Sequence, residues 1–177
     1  MRLSRPSVSV SNAANGVEIS WGSIAGAQLY AVTRDDKRIA TVEDTSYIDT
    51  DIINGSKYEY EVRALYLFSE TDECYSAFST ADTIYRLKNM TVTELNPGPE
   101  RFKVTYKKNS KATGYEIVYS RNSNFSNAKT IKTTSTYKTV KYLVAEETYY
   151  VKVRSYKKVG SSYYYSNYSD VQTVVTE

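Results

Sequence analysis

Tyr58-Glu59-Tyr60-Glu61-Val62-Arg63-Ala64 returns later in the chain as Tyr149-Tyr150-Val151-Lys152-Val153-Arg154-Ser155. In both stretches every second residue suits a core, and those between are mostly charged. A period of two is that of a β-strand with one buried face. Working outward, Val17-Glu18-Ile19-Ser20-Trp21 is matched by Phe102-Lys103-Val104-Thr105-Tyr106, and Tyr30 by Tyr115. Ser76-Ala77-Phe78-Ser79 is matched by Ser166-Asn167-Tyr168-Ser169. The offset is 85 at Trp21 and Tyr106, and 91 at Tyr58 and Tyr149. The chain therefore repeats a unit of about 90 residues, with a small insertion between the middle strands. The expected boundaries are residues 1–86 and 87–177.

The repeated positions are packing positions, so what is duplicated is an architecture. Seven short strands are expected in each copy, separated by turns. In the first copy they lie at Val8 to Val10, Val17 to Trp21, Leu29 to Arg34, Ile39 to Val42, Ser46 to Ile48, the stretch from Tyr58, and Phe78 to Ile84. In the second they lie at Met90 to Leu95, Phe102 to Tyr106, Tyr115 to Tyr119, Lys129 to Thr133, Tyr137 to Lys141, the stretch from Tyr149, and Tyr165 to Val175. Asn96-Pro97-Gly98-Pro99 reads as a turn. No segment has a 3.6-residue period, so helix should be nearly absent. Tyr85-Arg86-Leu87-Lys88-Asn89 joins the copies without Gly or Pro, which argues for a semi-rigid, end-to-end rod.

Composition removes several functions. The 177 residues contain no histidine and one cysteine, Cys74. Without histidine there is no Ser-His-Asp or Cys-His catalysis and no His-based zinc site. One thiol cannot form an internal disulfide, so packing alone must hold the domains. No apolar run reaches the roughly 20 residues of a membrane span, so no membrane insertion is expected. Acidic clusters at Asp35-Asp36, Asp49-Thr50-Asp51 and Glu70-Thr71-Asp72-Glu73 lack the spacing and glycine of a calcium loop and read as polar turns. No cofactor, metal or catalytic residue is expected.

Charge is unevenly divided. Residues 1–86 hold 8 Lys/Arg and 13 Asp/Glu, a net of −5, whereas residues 87–177 hold 15 and 7, a net of +8. A basic copy could meet a polyanion. The excess is modest and no recognised motif accompanies it, so nucleic acid is not the expected partner.

The quoted residues resemble tandem fibronectin type III domains of the kind found in extracellular bacterial proteins. Trp21, Gly26-Ala27, Tyr30, Thr45-Ser46-Tyr47, Tyr58-Glu59-Tyr60 and Tyr75-Ser76-Ala77-Phe78-Ser79 carry the likeness in the first copy. Gly114-Tyr115, Thr148-Tyr149-Tyr150-Val151 and Tyr165-Ser166-Asn167-Tyr168-Ser169 carry it in the second, with Tyr106 where the family usually has tryptophan. The resemblance implies an all-β chain of two tandem, seven-stranded, immunoglobulin-like sandwiches. It implies core roles for Trp21 and Tyr106 and tyrosine corners at Tyr58 and Tyr149. It also implies a non-enzymatic spacer and interaction module pair in a larger bacterial surface or secreted protein. No signal peptide is expected within this segment, and no Arg-Gly-Asp tripeptide occurs.

A binding surface is expected on the second copy. If Tyr149, Val151 and Val153 face the core, then Tyr150, Lys152, Arg154 and Tyr156 face outward, and the family's pairing puts Glu116 and Val118 beside them. Exposed aromatics flanked by cations suit stacking on sugar rings or holding an anionic polymer. Equally, tyrosines suit exposed strands, and lysines keep sheet edges unpaired. Pointing away from the core, these four residues should be replaceable without loss of folding. The partners left open are other domains of the parent protein, cell-wall polymer, glycan and host protein.

Overall fold

A computed structural model describes residues 2–69 and 72–177. Met1, Glu70 and Thr71 lie outside the described residues, and with Glu70 one member of the third acidic cluster. The chain divides into two compact units, Met1–Arg86 and Leu87–Glu177.

The first unit holds β1 (Val8–Asn12), β2 (Val17–Trp21), β3 (Leu29–Arg34), β4 (Lys37–Val42), β5 (Ser46–Asp49), β6 (Lys57–Leu67), β7 (Glu73–Tyr75) and β8 (Asp82–Tyr85). The second holds β9 (Val92–Gly98), β10 (Arg101–Tyr106), β11 (Gly114–Ser120), β12 (Lys129–Thr133), β13 (Tyr137–Lys141), β14 (Thr148–Val159), β15 (Ser162–Tyr165) and β16 (Gln172–Val175). Among the described residues there is no helix.

Each unit pairs a three-stranded sheet with a five-stranded one. In the first the orders are β1-β2-β5 and β4-β3-β6-β7, with β8 also on β6; in the second they are β9-β10-β13 and β12-β11-β14-β15, with β16 on β14. All pairs are antiparallel. This is the immunoglobulin-like sandwich in its fibronectin type III arrangement, present twice. Inward side chains of both sheets close one core per unit. Val17, Ile19, Trp21, Tyr30, Val32, Tyr60 and Val62 form the first; Phe102, Val104, Tyr106, Ile117, Tyr149, Val151 and Val153 form the second.

Two expectations need correction. The last strand of the second copy, expected from Tyr165 to Val175, is broken into β15 and β16; in the first, expected from Phe78 to Ile84, only β8 forms there, and β7 precedes it as a separate strand. The gaps hold the repeated serines. Ser76 and Ser79 donate their backbone N–H to Ala64 O and Val62 O, while their hydroxyls accept the N–H of Ala64 and Val62, each at 2.9 Å. Ser166 and Ser169 repeat this on Ser155 and Val153. The hydroxyl supplies the acceptor that a ladder carbonyl would, so the backbone leaves regular geometry with its partner satisfied. Second, Asn96, Pro97 and Gly98 belong to β9, where Pro97 sits opposite Phe102. β9 is an edge strand, where the missing proline N–H costs no ladder bond. The turn follows at Pro99-Glu100, with Glu100 at φ 49°.

The tyrosine corners form in both units. Tyr58 and Tyr149 hydroxyls accept the backbone N–H of Ile53 at 2.8 Å and of Val144 at 3.1 Å. Tyr149 is buried, whereas Tyr58 is half-buried against its core. Tyr149→Phe removes one such bond at a buried site and should lower the stability of the second unit by about 1 kcal/mol. Urea denaturation of both proteins checks this; an unchanged midpoint would mean that water satisfies Val144 equally well.

Beneath each corner the copies differ. Asp49, 2 % exposed, accepts the Tyr60 hydroxyl at 2.8 Å and the Arg34 guanidinium at 2.7 Å. Burial, then Asp49, pushes the Tyr60 pKa up. At the equivalent places the second unit has Val140, Val151 and Tyr119, an apolar solution of similar volume.

Candidate functional site: a cation–aromatic ladder on the second unit

The outer face of the five-stranded sheet in the second unit is covered by side chains. All seven residues of β11 are buried, on both faces. Cross-strand register explains this. Lys132 on β12, Glu116 on β11 and Arg154 on β14 stand opposite one another, so one row reads plus, minus, plus. Arg154 donates to Glu116 Oε1 through Nε at 2.7 Å and lies 2.5 Å away through its terminal nitrogen. Lys132 Nζ is 3.9 Å from the other carboxylate oxygen. The Tyr168 hydroxyl also donates to Oε1 at 3.2 Å, and Glu116 is 4 % exposed.

Aromatic rings alternate with the cations. Lys152 Nζ sits 4.0 Å from the Phe125 ring centre and 4.4 Å from that of Tyr168. The Arg154 guanidinium lies between Tyr168 at 4.6 Å and Tyr165 at 3.8 Å. Lys132 reaches Tyr163 at 4.3 Å and donates to the Tyr165 hydroxyl at 3.3 Å. That hydrogen bond is the main cause of its raised pKa. Burial chiefly raises that of Tyr168.

The four residues singled out by sequence thus share a sheet face but not a common exposure. Tyr150 is half-buried, opposite Ser120 and Thr173. Lys152 and Arg154 are held between rings. Tyr156 is not the free platform expected of it. It is 8 % exposed, with Tyr163 and Tyr165 at 5.4 and 6.1 Å. Its ring lies across Gly114, where a Cβ would come within 2.6 Å of the hydroxyl. Alternation correctly separates inward from outward positions, but it carries no information about what then folds over the outward side chains.

Phe125, Lys132 and Tyr168 were not part of the expected site. A signal for Tyr168 existed in the repeat. Arg63, Tyr75 and Phe78 of the first unit form the same sandwich, with ring distances of 3.7 and 4.7 Å. The other two acidic clusters are used locally. Asp35 and Asp36 form a tight turn at φ 49° and 64°, and Asp49 and Asp51 receive Arg34.

No protein-family model matches the chain. A stretch of 49 residues, 28 % of this chain, is 35 % identical to a poly(3-hydroxybutyrate) depolymerase of Ralstonia pickettii. The matched stretch spans 10 % of that enzyme's length. The crystal structure of the FN1–FN3 domains of chicken CNTN1 superposes with a TM-score of 0.43 and 16 % identity, covering 97 % of this chain and 67 % of that one.

Proposed function

We propose that the chain is a non-catalytic pair of fibronectin type III modules, serving as spacer and interaction domains of a larger bacterial surface or secreted protein. The observation that carries this is how the two copies use what they share. The common tyrosines hold the corners, the common serines replace a ladder, and the common arginine is locked between rings. Each duplicated device shapes a sandwich, and none presents a nucleophile beside a base. The match to a short part of a polymer-degrading enzyme fits a module carried beside an active domain.

A second reading is favoured by the ladder, which extends the sandwich of the first unit into a broad aromatic face. That face suits a polymer whose repeat can lie flat on tyrosine rings. With Lys152 and Arg154 already engaged, stacking rather than ion pairing would supply the affinity.

One sedimentation experiment addresses both readings. The purified chain is mixed with poly(3-hydroxybutyrate) granules and with bacterial wall polymer, and ester hydrolysis is followed in the same tubes. The spacer reading expects no hydrolysis and protein in the supernatant. Hydrolysis would defeat the non-catalytic assignment. Co-sedimentation abolished by Tyr163→Ala would select the polymer-binding face.

A further inference from the structure

The insertion that shifts the repeat from an offset of 85 to 91 builds one wall of a pocket in the second unit. In the first unit, β3 and β4 are joined by the two residues Asp35-Asp36. In the second, β11 and β12 are joined by Arg121–Ala128. This longer loop is held in one shape. Ser120 Oγ and Asn122 Nδ2 donate to Ser126 O at 2.8 and 3.2 Å, Ser126 N–H donates to Asn124 Oδ1 at 3.0 Å, and Lys152 sits on the Phe125 ring. Phe125 and Asn127 take left-handed backbone, at φ 58° and 54°.

Between this loop and the Tyr142–Val144 corner lies a cavity of about 320 Å³. Its floor includes Tyr119, Leu143 and Tyr149, and its rim includes Arg121, Asn122, Asn127, Lys129 and Tyr142. The volume falls at the small end of the usual ligand range of about 300–1,000 Å³. In the first unit Arg34, at the position of Tyr119, donates to Asp49 and to Asp51 O and lies over the Tyr58 ring. That ion pair occupies the corresponding corner; Tyr119 and Val140 cannot make it.

Tyr142 is the least expected residue of the rim. It is 94 % exposed, and its backbone is left-handed at φ 61°. An aromatic in that conformation is uncommon, and strained backbone of this kind clusters at ligand sites. The ring gains nothing from the core. It offers a flat apolar face at the mouth of a pocket whose other rim groups are two amides and two cations. Arg121 has Glu147 at 3.9 Å; among the described residues Lys129 has no ion-pair partner.

We propose that this pocket binds an acidic sugar residue. A pyranose ring would stack its C–H face on Tyr142, Asn122 and Asn127 would meet hydroxyls as donors and acceptors, and Arg121 with Lys129 would take the carboxylate. The inference goes beyond the spacer and ladder readings, because the groups that would touch the sugar, Tyr142, Arg121, Asn122, Asn127 and Lys129, belong neither to the duplicated devices nor to the ladder stripe.

The test is titration of the ¹⁵N-labelled full chain with glucuronate and, separately, glucose. Glucuronate should shift the amides of Asn122, Asn127, Tyr142 and Val144, at an affinity at least tenfold above that for glucose. Tyr142→Ala should weaken glucuronate binding at least tenfold while leaving all other amides in place, since the side chain touches little. Arg121→Gln with Lys129→Gln should bring glucuronate down to the level of glucose. Absence of shifts with either sugar, or full affinity in Tyr142→Ala, would overturn the proposal. Shifts centred on Lys132, Tyr163 and Tyr165 would also overturn it, and would support the ladder instead.

Discussion

Replacing Trp21 or Tyr106 by alanine should each lower the stability of its own sandwich by about 3–5 kcal/mol. The two stand at equivalent places in β2 and β10, and both are buried. Trp21 packs against Tyr30 at a ring distance of 5.4 Å, and Tyr106 against Tyr115 at 4.9 Å. Removing either ring opens a cavity between the two sheets that neighbours held on opposite strands cannot collapse to fill. For a domain of this size the loss is comparable to its whole stability. Milder changes should separate the two sites. The Tyr106 hydroxyl donates to Ser135 O at 2.8 Å, so Tyr106→Phe should cost about a further bond, near 1 kcal/mol. Trp21 Nε1 is buried with no acceptor, so Trp21→Phe loses volume without losing a hydrogen bond. Trp21 is the single tryptophan, so amide exchange in β2 and β10 is the suitable measurement across all variants. Protection unchanged by either alanine would mean that these rings do not hold the sheets together.

The fold was legible because its signals are local and doubled. Alternation in the stretches from Tyr58 and Tyr149 gave faces, and equal offsets gave the second sandwich from the first. β3, β12 and β13 lie where alternation puts them. What escaped depends on side chains that do backbone work or cover one another. Ser76 and Ser166 look like ordinary strand residues until their hydroxyls are seen to accept ladder N–H groups. Pro97 reads as a turn unless the strand is known to be an edge. Tyr156 reads as exposed because periodicity cannot foresee that Tyr163 and Tyr165 return across it. The insertion was visible as a change in offset, yet the pocket it helps to wall depends on the left-handed turns of Phe125, Asn127 and Tyr142.

Arg154→Ala should lower the stability of the second unit by about 2–4 kcal/mol, and Arg63→Ala should cost the first unit less. Both arginines lie between two aromatic rings, so the cation–π contribution, about 0.5–2 kcal/mol, is lost in each. They differ in what faces them across the sheet. Arg63 stands opposite Ala31, and its Nε is buried without an acceptor. Burial lowers its pKa, so that charge is held against its own desolvation. Arg154 stands opposite Glu116. Taking it away leaves a carboxylate buried with Lys132 at 3.9 Å and one tyrosine hydroxyl. Breaking a buried pair from one side costs about 3–5 kcal/mol. The Arg154 side chain is 26 % exposed and Lys132 remains in reach, which places the expected loss below the top of that range. Arg154 is expected from sequence to be replaceable without loss of folding; the burial of its partner Glu116 adds a stability cost to that replacement. A double-mutant cycle isolates the cause. Glu116→Gln in the Arg154→Ala background removes the stranded charge and should recover a large part of the loss, since what is costly is the unpaired carboxylate rather than the missing contact. Amide exchange in β11 and β14, measured at low and moderate salt, reads the result. A loss that vanishes at moderate salt would describe a screened surface pair and contradict the burial of Glu116; equal losses for Arg63→Ala and Arg154→Ala would assign the whole effect to the rings.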